Sequence, residues 1–227
     1  MRNILVLLTC LLLTRCGGGA KNGEQPAPPE QPAPAARPQP ADDRPVIVAF
    51  GDSLSAGFGA DPGKSYPDFL QKDLDRQGLR YRVVNAGISG DTSTDGLVRI
   101  DTVIALKPAI VILEFGGNDG LRGLPVATTR SNLEQMIVAL RKAGAKVVLA
   151  GMTLPPNYGP DYIRSFEVIY RDLAKQYRLP LIPFLLAGVG GNAALMQRDG
   201  MHPTAEGNRM VAQNVMPVLL TTLSRRQ

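Results

Sequence analysis

The sequence predicts an α/β domain, a three-layer α/β/α sandwich around a five-stranded parallel sheet. Three observations carry this. From Val46 onward, short apolar runs alternate with segments of helical spacing. Several runs are unbroken Val/Ile/Leu, as strands buried on both faces require. The polar, glycine-bearing clusters follow the strands, where open parallel sheets bind their ligands.

In chain order, the first strand is Val46–Phe50. A helix over Ser65–Gln77 follows, with Ser65 as its N-cap and Pro67 in its first turn. Tyr81–Asn85 is the second strand and Thr92–Leu106 the second helix, with Pro108 standing just past its end. Ala109–Phe115 is the third strand; the helix Thr128–Ala143 after it stops at Gly144. Lys146–Ala150, the helix Tyr162–Tyr177 and, after Pro180, the strand Leu181–Pro183 complete the sheet, and a last helix runs from Thr204 to about Leu223. Four polar loops then meet at one rim: Gly51-Asp52-Ser53, Asn85 to Asp91, Gly116-Gly117-Asn118-Asp119 and Asp199-Gly200-Met201-His202.

Residues 1–20 and 21–45 stand apart from this domain, which is expected over 46–227. Arg2 and the apolar run Ile4–Leu13 have the layout of a secretory signal and are too short to span a bilayer. Cys16 is the candidate acylated N-terminus of a lipoprotein-type leader, although Arg15 precedes it. Leu7-Leu8-Thr9-Cys10 fits that pattern more closely but leaves a short apolar region, and cleavage after Ala20 gives plain secretion. Lys21 to Pro45 carries eight prolines among Ala, Gln and Glu, an extended tether without the means to bury a core. Export is the common expectation: a periplasmic enzyme, or a monomer anchored to a membrane through an N-terminal lipid.

Both cysteines lie in the leader, so the domain holds no disulfide, thiol nucleophile or cysteine metal site. Without Arg2 and Arg15 there are 23 basic residues against 20 acidic ones, a net +3, and the basic residues are scattered. No nucleic-acid footprint results. Gly63-Lys64-Ser65 nearly matches a phosphate loop, but Phe58 stands where that motif needs glycine. The tripeptide also lies well past the strand instead of joining it to a helix. The glycines of 188–192 lack dinucleotide spacing.

The two serines of the loop after the first strand, Ser53 and Ser55, invite a different chemistry. A serine needs a base, a group to orient that base and donors for the developing oxyanion. His202 is the only histidine in the chain, three residues after Asp199 in a glycine-containing loop, with Pro203 leading into the last helix. At that spacing the carboxylate reaches Nδ1 and leaves Nε2 free to accept a proton. A single histidine also argues against catalytic zinc, and no cofactor is expected.

Four blocks in order now carry a family resemblance. Gly51-Asp52-Ser53-Leu54-Ser55 resembles the nucleophile block of the GDSL, or SGNH, hydrolases. Asn85-Ala86-Gly87-Ile88-Ser89-Gly90-Asp91-Thr92, Gly117-Asn118-Asp119 and Asp199-Gly200-Met201-His202-Pro203 resemble the other three. Gly116 to Gly123 and Leu154 to Gly159 are most similar to the bacterial arylesterase and acyl-CoA thioesterase I/lysophospholipase branch. The resemblance implies a flavodoxin-like SGNH hydrolase fold and a serine ester hydrolase acting on short- to medium-chain acyl esters. It implies Ser53 as nucleophile, His202 as base and Asp199 as its orienting partner. The oxyanion hole would be the N–H groups of Ser53 and Gly90 and the Asn118 amide. Asp52, Asp91 and Asp119 are expected to hydrogen-bond loop backbone, and Ser55 and Ser89 to be turn residues. No G-x-S-x-G elbow of an α/β-hydrolase is present.

For the substrate, a small-molecule or lipid ester, the loops after the third and fourth strands offer Leu121, Arg122, Leu124, Leu154, Pro155 and Tyr158. This is apolar surface with few groups to bind a sugar. A carbohydrate acetylesterase of the same superfamily is the alternative; a non-catalytic α/β binding module is the alternative from another class.

Overall fold

A computed structural model of the chain describes residues 42–224. The expected leader with Cys16, and the expected tether up to Ala41, lie outside the described residues. Asp42–Pro45, read as the end of the tether, stand beside the sheet: Arg44 pairs with Asp42 and donates to the Tyr81 carbonyl.

Five strands form one parallel sheet: β1 (Val46–Gly51), β2 (Arg82–Asn85), β3 (Ile110–Glu114), β4 (Lys146–Ala150) and β5 (Leu181–Ile182). Their spatial order is β2-β1-β3-β4-β5. The unbroken Val/Ile/Leu runs became the central strands, since β1 and β3 are buried throughout. β2 is an edge strand and only half-buried. Of the helices, α2 (Tyr66–Arg76) and α8 (Ala205–Ser224) pack together on one face of the sheet. α3 (Ser93–Val98), α4 (Ile100–Ile104), α6 (Val126–Lys142) and α7 (Pro160–Tyr177) cover the other. Short helices α1 (Ser53–Ala56) and α5 (Gly117–Leu121) lie at the carboxyl ends of β1 and β3, and a 3₁₀ turn spans Pro156–Tyr158. The chain leaves β1 in one direction across the sheet and β3 in the other. Between these two strands lies the switch-point crevice in which sheets of this order bind ligands.

Local chemistry explains most boundaries. Ser65 caps α2 and Thr92 caps α3, each in a reciprocal box with an aspartate three residues on, Asp68 and Asp95. The Gly-Lys-Ser resemblance to a phosphate loop is thereby used up as a helix cap. The helix expected over Thr92–Leu106 is broken in two at Arg99, whose backbone (φ −101°, ψ 12°) leaves the helical region. Its guanidinium turns inward to the carbonyls of Ala86 and Gly51 and to Asp91, over the rings of Phe50 and Phe115.

Gly87 shows how closely the β2 loop seats against α1. A Cβ there would stand 2.2 Å from the Ala56 nitrogen and 2.7 Å from the Ser55 carbonyl carbon. Backbone cannot yield as a side-chain tip does, so Gly87→Ala should destabilise by about 1–3 kcal/mol. Thermal melts should show this as a fall in Tm of several degrees; an unchanged Tm would mean that the loop is free to move off α1.

Candidate active site

Each of the four loops delivers its residues through a simple local device. Asp52 caps α1, its carboxylate accepting the Leu54 N–H at 3.0 Å. This turns the chain sharply after β1 and leaves Ser53 at the crevice. On the opposite side, Asp199 closes a tight turn by accepting the N–H groups of Met201 (2.9 Å) and His202 (3.0 Å) through one oxygen. Its other oxygen meets His202 Nδ1 at 2.7 Å, and His202 Nε2 lies 2.9 Å from Ser53 Oγ. The His202 hydrogen bond holds the Asp199 carboxyl down at about 2, so this acid remains charged across any ordinary working pH. The imidazole is largely buried, with the Phe58 ring 4.6 Å away, centre to centre, on its flank. Gln197 ties these two loops together, its amide donating to the carbonyls of both Phe58 and Pro203.

Asn118 enters from α5. Its amide nitrogen donates to the Asp91 carbonyl at 2.9 Å and to Asp52 Oδ2 at 3.2 Å. Gly90 has φ +89°, a conformation that favours glycine, and its carbonyl accepts from Arg122 at 2.8 Å. Of the three loop aspartates, Asp52 and Asp119 accept loop N–H groups as expected, whereas the Asp91 carboxylate takes a guanidinium instead. Asp91 pairs with Arg99 at 2.6 Å, and Asp119 accepts the Ser93 N–H and the hydroxyls of Ser93 and Thr129.

The expected residues are not all where the loop order places them. Ser53, Asn118 and His202 line one cleft of roughly 430 Å³, and Leu121, Leu154 and Pro155 line it too. Arg122, Leu124 and Tyr158 are not among its lining residues. Arg122 is turned to Gly90, the Tyr158 hydroxyl donates to the Leu121 carbonyl, and the Leu124 carbonyl accepts from Tyr162. Met152, Phe184, Leu186 and Met201, which sequence reasoning did not assign, complete the apolar wall. Ser55 is not a turn residue; it is wholly buried and donates to Glu114. Glu114 was also missed, although an acid within an apolar strand run was a signal in plain view.

A serine, histidine and aspartate in one hydrogen-bonded line, on the rim of a doubly wound sheet, define a serine hydrolase in structural terms. The chain belongs to the GDSL-like lipase/acylhydrolase family, whose profile matches residues 49–210. It is 48% identical over 175 residues to the esterase TesA of Pseudomonas aeruginosa, covering 77% of this chain and 87% of that one. It is 38% identical to the Escherichia coli thioesterase 1/protease 1/lysophospholipase L1 over 168 residues, 74% of this chain and 79% of the other. A crystal structure of TesA superposes with a TM-score of 0.74 at 47% identity, covering 77% of this chain and 97% of that one. The protein is an enzyme, a serine hydrolase that acts on ester bonds.

Proposed function

We propose that Ser53 is the nucleophile, His202 the general base and then acid, and Asp199 the group that orients it. One observation carries this reading, the continuous contact from Asp199 through both ring nitrogens of His202 to Ser53 Oγ, 2.7 and 2.9 Å long. His202 Nε2 takes the serine proton as Oγ attacks the ester carbonyl, then returns it to the leaving alcohol. A Ser53 acyl-enzyme remains, and water activated by the same nitrogen releases the acid. The N–H groups of Ser53 and Gly90 and the Asn118 amide would receive the oxyanion.

The cleft beside Ser53 supports an acyl group as the part of the substrate it holds. Leu121, Met152, Leu154, Phe184 and Leu186 give it an apolar wall, with little on it to bind sugar hydroxyls. Export through the leader read at residues 1–20 keeps the enzyme from cytoplasmic acyl-CoA, which favours lipid and aryl esters or lysophospholipids over thioesters. Each methylene buried in the cleft contributes up to ~0.8 kcal/mol, about fourfold in kcat/KM. Across p-nitrophenyl esters of graded length, kcat/KM should therefore climb from acetyl toward medium chains and level off when the cleft is full. An optimum at acetyl, with an acetylated oligosaccharide preferred to a lysophospholipid, would favour the carbohydrate acetylesterase instead.

A further inference from the structure

Behind Ser53 lie two acids that the reaction does not use directly. The register of β1 against β3 sets Gly51 opposite Glu114, so that Asp52 and Glu114 meet where the two central strands end. Asp52 is 2% exposed and Glu114 fully buried. Glu114 Oε2 accepts the Asp52 N–H at 3.2 Å and the Ser55 hydroxyl at 2.9 Å. Glu114 Oε1, wholly buried beside Asp52, has no hydrogen-bond partner among the described residues. Among the described residues no ion pair reaches either acid. Arg99, the nearby cation, is committed to Asp91 and to backbone carbonyls. The titratable groups that face the pair are Tyr66 from α2, Tyr170 from α7, Asp119 from α5 and, toward Asp52, His202.

A buried carboxyl oxygen without a partner is costly, and two adjacent carboxylates have no donor between them, so a proton on one of the two acids is what satisfies it. Burial pushes the Asp52 carboxyl up to about 6 and the Glu114 carboxyl well above the ordinary carboxylate range. Glu114 is the more buried and keeps the proton, and Asp52 accepts it. This matters for catalysis because Asp52 is the contact between the pair and the site. Its Oδ1 holds the Leu54 N–H behind the nucleophile and its Oδ2 holds the Asn118 amide. A single charge on the pair suffices to orient those donors. A second would oppose the oxyanion that forms beside Asn118.

We propose that Glu114 is a positioning residue: protonated in the resting enzyme, it donates to Asp52 and keeps that acid a singly charged acceptor for Leu54 and Asn118. The proposal rests on the roles assigned above to Ser53 and Asn118, and its test separates the two. Infrared spectra of the intact enzyme near neutral pH should show the C=O stretch of a buried neutral carboxylic acid. Glu114→Gln should lose that band, and Ser53→Ala should keep it even as its activity disappears. In kinetics, Glu114→Leu, which has no donor for Asp52, should lower kcat by about 10–100-fold with KM within about threefold. Glu114→Gln, which restores a neutral donor, should recover kcat to within about fivefold of the parent. A parent without the band, a band that survives in Glu114→Gln, or equal kcat in the Leu and Gln variants would overturn the proposal. Should Glu114→Leu fail to fold, the band in the parent, Ser53→Ala and Glu114→Gln decides alone.

Discussion

Ser53→Ala lowers kcat/KM for ester hydrolysis by about 10³-fold or more and leaves the melting curve in place. Ser53 is a small residue at the edge of the cleft, and its Oγ hydrogen bond is to His202. Removing one oxygen creates no cavity in the core, so the loss should be chemical. His202→Ala should be damaging to a similar degree, since the nucleophile then has nothing to take its proton. The double variant should be little worse than either single one, because residues that act as one unit do not lose activity additively. Steady-state kinetics on a p-nitrophenyl ester, beside thermal melts, check all three. Near-normal turnover in a folded Ser53→Ala enzyme would remove Ser53 as nucleophile. Losses that multiply in the double variant would mean that the two residues act independently.

Asn118→Ala should lower kcat by roughly 10²–10³-fold with KM little changed. Its amide already makes two hydrogen bonds in the resting enzyme, to the Asp91 carbonyl at 2.9 Å and to Asp52 at 3.2 Å. The Asp91 bond aims the group, while the longer Asp52 contact is the one that a developing oxyanion can share or displace. The amide is thus aimed before substrate arrives, and only its longer contact with Asp52 has to give way as charge builds. Because the interaction strengthens only as charge builds on the carbonyl oxygen, it appears in kcat. A rise in KM alone, with kcat retained, would instead make Asn118 a ground-state binding group.

Much of this enzyme is legible in the sequence. The five β/α units could be read because burial leaves a local mark, a helical period on the helices and a near-continuous apolar run on strands covered on both faces, as in Val46–Phe50, Ala109–Phe115 and Lys146–Ala150. Asp199 and His202 stood out for a similar reason, while Ser53 was marked by the resemblance of Gly51–Ser55 to a family block. The Asp199–His202 contact spans three residues of one turn, and a lone histidine leaves no rival base. The helix caps Ser65 and Thr92 are likewise local, each closed by an acid three residues on.

Only the tertiary structure decided the rest, and the residues involved have one feature in common: their partners are distant in sequence. Arg99 breaks a helix that its own segment would continue, because carbonyls up to 48 residues away draw its guanidinium inward. Ser55 reads as a turn residue until β3 is set beside β1 and Glu114 arrives to accept its hydroxyl from 59 positions away. Arg122, Leu124 and Tyr158 sit in loops that border the cleft, yet hydrogen bonds across those loops engage their side chains or carbonyls away from its wall. Phe184 and Leu186 enter that wall from a loop with no motif at all, and Met201 enters it from the His202 block, where nothing local marks it as pocket-lining. Sequence by itself therefore determined the strands, most of the long helices and the residues proposed for the chemistry, since short-range patterning, fixed spacing and family blocks encode them. Which side chains surround that chemistry was decided by strand order and register, a property of the packed sheet and not of any one segment.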